Sequence, residues 1–177
     1  MSNASFPPAG FDTSQVSPSD AAVTLLSFPR RFKAALTLPE SEQRADDVVH
    51  RRPRGGGSSA AEHAAWTASA IQQVASAFWK VITQDNREIQ LPPVDVEPPV
   101  PGGEDPTDTL VARIEAAARP LADRVGDVHG NDWTRTGRVD STTISALDVI
   151  RYAVRVGVEH LHAAERTVAD VAREVGS

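Results

Sequence analysis

A chain of 177 residues with 40% hydrophobic content carries enough apolar side chains for one core, so a single domain is expected. It has no cysteine, which excludes disulfides, thiolate metal ligands and a cysteine nucleophile, fits a reducing compartment, and leaves any thiol chemistry to an external thiol. A net charge of −6 opposes the phosphate neutralisation that nucleic-acid binding needs, and no run approaches the roughly 20 apolar residues of a membrane span; neither partner is expected, and the protein reads as soluble and cytoplasmic.

Residues 1–16 mix Pro, Gly, Ser and Asn without a period and read as a flexible arm, leaving 17–177 as the folded domain. Ser17, Pro18 and Asp20 place a capping hydroxyl, an N1 proline and an N3 carboxylate in the order a helix start requires. Val23, Leu26, Phe32, Ala35 and Leu36 give this first helix its apolar face, with a kink or break expected at Pro29, where a backbone donor is missing. The polar stretch 39–58, with Arg51, Arg52 and Arg54 beside Gly55, Gly56 and Gly57, reads as a solvated loop. Ser59 and Glu62 form a capping-box pair, and Ile71, Val74, Phe78 and Val81 recur at threes and fours, so a second helix is predicted over 60–83. Pro92, Pro93, Pro98, Pro99 and Pro101 exclude regular helix between 85 and 103, which becomes a long extended crossover. Asp105, Pro106 and Asp108 repeat the capping order, and Leu110, Ile114, Ala117, Leu121 and Val125 mark a third helix, with a second kink expected at Pro120 and a stop at Gly130 and Asn131. After the polar stretch 132–143, Ser145 and Asp148 open the longest helix, on which Leu147, Ile150, Val154, Leu161, Ala164, Val168 and Val171 step towards the C-terminus. Four amphipathic helices without strand alternation predict an all-α four-helix bundle, and the long proline-rich connection between the second and third allows an up-down-down-up order.

Three stretches on these helices carry a resemblance. Residues 58–68 (SSAAEHAAWTA) open the second helix, 131–137 (NDWTRTG) precede the fourth, and 146–161 (ALDVIRYAVRVGVEHL) begin it. In this order and spacing the chain resembles the DinB-like superfamily of four-helix bundles, which is related to thiol-dependent transferases and to mycothiol-dependent maleylpyruvate isomerase N-terminal domains. The resemblance implies one histidine on the second helix and a His-x-x-x-His pair on the fourth, together holding a divalent metal that activates an external thiol. Here the matching positions are Trp66, Arg155 and Glu159. Tryptophan offers only a donor, arginine keeps its proton, and one carboxylate falls short of the three protein ligands usual for catalytic zinc. The metal site is therefore read as degenerate, and no metal or cofactor is expected.

His63, His160 and His162 are the replacements a shifted metal site would use, with Glu62 or Glu159 as a third ligand. His160 and His162 stand two apart, about 200° around a helix, and cannot both face one ion. The plainer reading makes these histidines partly buried or surface residues, and His50 and His129, in or beside loops, have weaker claims. Tyr152, Arg155, Glu159 and His162 step at three, four and three, and form either a solvated ion-pair stripe or a buried polar stripe facing Trp66. In the second case Trp66, Tyr152, Arg155, Glu159, His63 and His160 would line a pocket for an anionic or thiol-bearing small molecule. Trp79 and Trp133 are assigned to core or dimer packing. The expectation is a metal-free module that binds a small molecule or a protein, with a homodimer through helix faces open to it and no turnover; the alternative is a metal-dependent thiol S-transferase or isomerase using a thiol such as mycothiol.

Overall fold

The computed structural model describes residues 12–39, 42–95 and 98–176; the first eleven residues of the predicted arm lie outside the described residues. The rest of that arm, from residue 12 to residue 16, is docked rather than loose: Thr13 is buried, and the Val16 carbonyl accepts a hydrogen bond from Arg151 Nε at 3.0 Å.

Four long helices build the bundle, α1 (Pro18–Leu36), α3 (Ala60–Thr83), α4 (Thr107–Asp127) and α5 (Ala146–Val175), with a short α2 (Glu42–His50) between the first two. Three of the starts are capping boxes, Ser17 with Asp20, Ser59 with Glu62, and Ser145 with Asp148, in which the serine accepts the N3 amide and the carboxylate accepts the cap's own N–H. α4 departs from the expected cap. Its N-cap is Pro106, without a side-chain bond, and Asp105 instead receives Arg113 at 2.8 Å. Neither Pro29 nor Pro120 interrupts its helix. Each proline deletes one backbone bond, and the buried Leu25, Phe28 and Phe32 around the first, like Ala117, Ala118 and Leu121 around the second, hold the backbone to the core across the gap.

Contacts at the helix ends fix the directions. Lys33 at the end of α1 pairs with Asp108 at the start of α4 at 3.7 Å, so these two are antiparallel. Arg124 stacks over Trp79 at 4.0 Å, the ends of α4 and α3 together, so these are parallel. Phe78, near the end of α3, packs on Trp133, just before α5, and the Arg54 amide ahead of α3 donates to Glu174 near the end of α5; α3 and α5 are antiparallel. The resulting order is up-down-down-up, with α1 packed on α4 and α5, α3 on the same two, and α1 diagonal to α3.

Two features depart from the sequence expectation. α2 lies inside the stretch read as loop; among its described side chains Val48 and Val49 alone anchor it to the core, too few to show a period. A three-stranded sheet also forms, with β1 (Arg87–Glu88) parallel to β2 (Thr136–Val139) and β2 antiparallel to β3 (Thr142–Ser145), Val139 opposite Thr142. Strands of two and four residues are too short for alternation to be visible. Their turn sits at Asp140, with φ 53°, and β2 is pressed to the bundle at Gly137, where a Cβ would come within 2.8 Å of Val81. No helix among the described residues is long and apolar enough to cross a membrane.

The core is filled by Leu25, Phe28, Phe32, Ile71, Phe78, Leu110, Ile114, Ile150 and Leu161, all essentially inaccessible, each contributing roughly 1.5–3 kcal/mol by leaving water. α1 meets α5 where the Phe28 ring occupies the space a side chain at Gly157 would take, its Cε2 and Cζ 2.3 Å from a Cβ there. Gly157→Ala is therefore expected to cost about 1–3 kcal/mol by overpacking, although alanine alone would favour the helix by about 1 kcal/mol. Denaturant titration checks this, and combining it with Phe28→Leu should cost less than the two single losses added together.

Candidate functional site

α3 and α5 face each other through small side chains. Ala60 and Thr67, three before and four after His63 on its own face of α3, are small and buried, and between them two larger rings meet within the interface. His63, one turn beyond the Ser59 cap, and His160, midway along α5, stand with their Nδ1 atoms 3.1 Å apart and ring centroids 5.3 Å apart. At that distance one imidazole donates and the other accepts. Burial pulls both histidines down from their ordinary value to about 4, and for His63 the neighbouring His160 adds to the effect, so both rings are neutral at pH 7.

The pair borders a cleft of about 770 Å³, a volume within the range of small-molecule sites. Gly56, Gly57 and Ser58 of the loop before α3 form one wall, Val94 and Asp95 of the crossover another, and Glu159, His162, Arg166 and Asp170 line it along α5. The crossover is pinned here by Tyr152, whose hydroxyl donates to the Pro92 carbonyl; burial pushes that phenol up to about 12.

The six predicted pocket residues divide. His63, His160 and Glu159 line the cleft. Tyr152 and Arg155 instead line a separate cavity of about 220 Å³, beside Thr13, Thr142 and Arg151. Trp66 lines neither; it packs partly buried against the core, with its Nε1 buried and without a hydrogen-bond partner among the described residues. The single polar stripe facing Trp66 is thus corrected to a split arrangement, with exposed His162 on the rim of the cleft. What joins the halves is an ion pair. Arg155 is 2% exposed and its Nε donates to Glu159 Oε1 at 3.0 Å, while the Glu159 side chain is 23% exposed. The pair is the buried alternative of the two the sequence allowed, at its arginine end.

The residues present do not fit the metal that the resemblance implies. Trp66, Arg155 and Glu159 supply one ligand type among them, and Arg155 already occupies Glu159. In the shifted set, Val156 and Ala164, one turn either side of His160 on its own face, carry no ligand atoms. Glu62 is committed elsewhere: its carboxylate receives the Ser59 amide at 2.8 Å and the Arg52 fork at 2.6 and 3.0 Å. Burial works against its charge, but the Arg52 and Ser59 hydrogen bonds outweigh it and hold Glu62 below the usual carboxylate range. Among the described residues no group of three or more His, Cys, Asp or Glu is placed to hold an ion. His50 points its ring nitrogens at the Asp46 and Asp105 carbonyls, and His129 is exposed at the start of a 3-10 turn.

The Asp-Trp segment proves structural. Gly130–Thr134 is a 3-10 turn in which Trp133 Nε1 donates to the Val128 carbonyl and its ring packs on Phe78, while Asp132 holds Arg135 at 2.9 Å. Trp79, also expected in a core or dimer contact, is half exposed under Arg124. Sequence reasoning missed Arg166 and Asp170. The spacing of four that joins them to His162 was the available signal; nothing local marked Gly56, Gly57, Val94 or Asp95 as walls.

Over 99% of both chains the fold matches that of YfiT from Bacillus subtilis, described as "a probable metal-dependent hydrolase with an unusual four-helix bundle topology", with a TM-score of 0.72 and 12% identity. At that identity the likeness concerns architecture alone, and it bears out the expected four-helix bundle. No family model and no curated protein matches the sequence.

Two measurements probe the site. Glu159→Ala leaves a buried guanidinium without this partner, and the expected loss is roughly 2–4 kcal/mol by denaturant titration, below the full cost of breaking a buried pair because Glu159 is partly exposed; Glu159→Gln, which keeps an acceptor, should lose less. For pH the sign follows from the two depressed histidines. The unfolded chain takes up their protons near 6.5 and the folded chain only near 4, so their stabilising contribution is complete above about 6.5 and drains away as pH falls towards 4. Melting temperatures measured across that window should fall with acidification, and more gently in a His63→Asn, His160→Asn double variant.

Proposed function

We propose that the chain is a small-molecule binding protein on the DinB-like bundle, working without a bound metal, with the cleft beside His63 and His160 as its ligand site. The observation that carries this reading is the cleft itself: about 770 Å³, with two neutral imidazoles, Glu159, Arg166 and Asp170 converging on it. Convergent polar groups in a concave site give orientation, while Val94, Pro53 and Ala163 provide apolar contact. Among the described residues no third ligand joins the histidines, so the means by which a metal would be held tightly is missing there. A binding role is favoured over turnover because two histidines drawn down to about 4 are weak bases at neutral pH.

A second reading draws on one observation. Nδ1 atoms 3.1 Å apart are at a separation that two ligands of one ion can also adopt, which keeps a metal-dependent activity, hydrolytic as stated for YfiT or a transfer using an external thiol, as the alternative. Elemental analysis of protein purified without chelator decides between them: well under one Zn, Ni or Fe per chain is expected, and about one tightly held ion per chain would establish the alternative. A thermal-shift screen of small polar compounds should give stabilising hits in wild type that weaken in His63→Phe.

A further inference from the structure

The cavity of about 220 Å³ beside Tyr152 and Arg155 has no part in the cleft, and its own chemistry is distinct. Its walls are the first turns of α5, β3 and the docked residues 12–14. The volume lies under the roughly 300–1,000 Å³ of sites for drug-sized molecules, so an occupant has only a few carbon atoms. Three polar side chains that line it, Thr13, Tyr152 and Arg155, are more than nine-tenths buried, so this polarity belongs to the interior and not to a solvated surface.

Charge is ordered along this cavity. Asp148, Arg151 and Arg155 step at three and four, and so share one side of α5. Exposure falls along the same line: the Asp148 side chain is 42% exposed, Arg151 25% and Arg155 2%. Asp12, contributed by the docked segment, is exposed as well. Both lining carboxylates are therefore on the solvent side and the guanidinium of Arg155 is innermost. Between them Arg151 is tied by its Nε to the Val16 carbonyl at 3.0 Å, with its Nη1 3.8 Å from Asp148. The carboxylates are fixed by backbone: Asp12 accepts the Ser14 N–H at 2.8 Å, and Asp148 accepts the Ser145 N–H at 2.9 Å. Glu159, the partner of Arg155, lines the cleft and not this cavity. The result is a positive inner end and a negative rim, with charge screened least at the inner end.

We propose that this cavity is a second ligand site and that it takes a small zwitterion, an amino acid of short carbon chain, with its carboxylate at the Arg155 end and its ammonium at the Asp12 and Asp148 rim. An anion alone meets two carboxylates at the rim, and a cation alone meets guanidinium at the inner end. A molecule with one charge at each end satisfies both. Its carboxylate suits the planar guanidinium, which recognises that group through charge-assisted hydrogen bonds. Because residues 12–14 form one wall, an occupant also fastens that segment to α5.

Tyr152 is the chain's one tyrosine, so a carbon-13 label in its ring reports on this cavity, while His63 and His160 report on the cleft. The probes are 4-aminobutyrate, butyrate and butylamine, which share a carbon chain and differ in their charged ends, added to the whole chain. 4-Aminobutyrate is expected to shift the Tyr152 ring signals and to bind about threefold or more tightly than butyrate, the scale of a half-exposed ion pair. Its advantage over butylamine, which has nothing to offer the buried guanidinium, should be about tenfold or more. In Asp12→Asn, which keeps the oxygen that accepts the Ser14 N–H, the advantage over butyrate should shrink while butyrate binds no more weakly. Butyrate or butylamine binding as tightly as 4-aminobutyrate overturns the proposal, as does an advantage over butyrate that Asp12→Asn leaves unchanged. Tyr152 signals that stay still under all three probes overturn it too. Shifts confined to His63 and His160 do so while supporting the cleft as a site, so the two readings fail separately.

Discussion

Close approach of α3 to α5 is the constraint on which the site depends. Beside His63 on its own face of α3 the buried Ala60 and Thr67 present little volume, so the two helices pack with histidine rings, rather than longer apolar side chains, between them. Antiparallel direction is part of the same constraint, because it brings the start of α3, with His63, against the middle and end of α5, with His160, Arg166 and Asp170. The long crossover makes this possible. α4 returns parallel to α3, so the intervening chain must travel the length of the bundle, and the Tyr152 bond to Pro92 turns that obligatory path into a wall of the cleft.

Helix starts were legible because capping boxes are local: Ser59 with Glu62 and Ser145 with Asp148 locate two helices to the residue. Apolar periodicity supplied the bundle, and the length of the proline-rich segment supplied its order. The failures have equally local causes. α2 offers only Val48 and Val49 as anchors, the strands of the sheet are two to four residues long, and Asp105 has a second use, as partner of Arg113, that no spacing rule foretells. At the site, the step of three and four placed Tyr152, Arg155 and Glu159 on one side of α5 correctly. It could not show that Val94 and Asp95 from one loop and Thr13 from another divide the space beside them into two cavities, since that follows from tertiary packing across some sixty to one hundred and forty residues of sequence.

Arg155 changes the electrostatic character of the bundle interior. A guanidinium cannot be lost by chelation and does not exchange, so a permanent charge stands where the family resemblance implies a removable one. Its partner Glu159 reaches the cleft, and the cleft thereby keeps a carboxylate whose charge is balanced from behind. The two histidines, His160 next to Glu159 on α5 and His63 on α3, stay neutral in this setting, and the site combines fixed charge with uncharged imidazoles in place of the charge density of a divalent ion.

The up-down-down-up order places the start of α1 beside the start of α5, and the end of α5 beside the loop that walls the cleft, where Arg54 meets Glu174. For anyone immobilising or labelling the protein this polarity matters. A fusion partner or surface linker joined after α5 would crowd the cleft mouth, whereas a label attached at the start of α1 would stand at the opposite pole of the bundle, clear of any molecule entering the cleft.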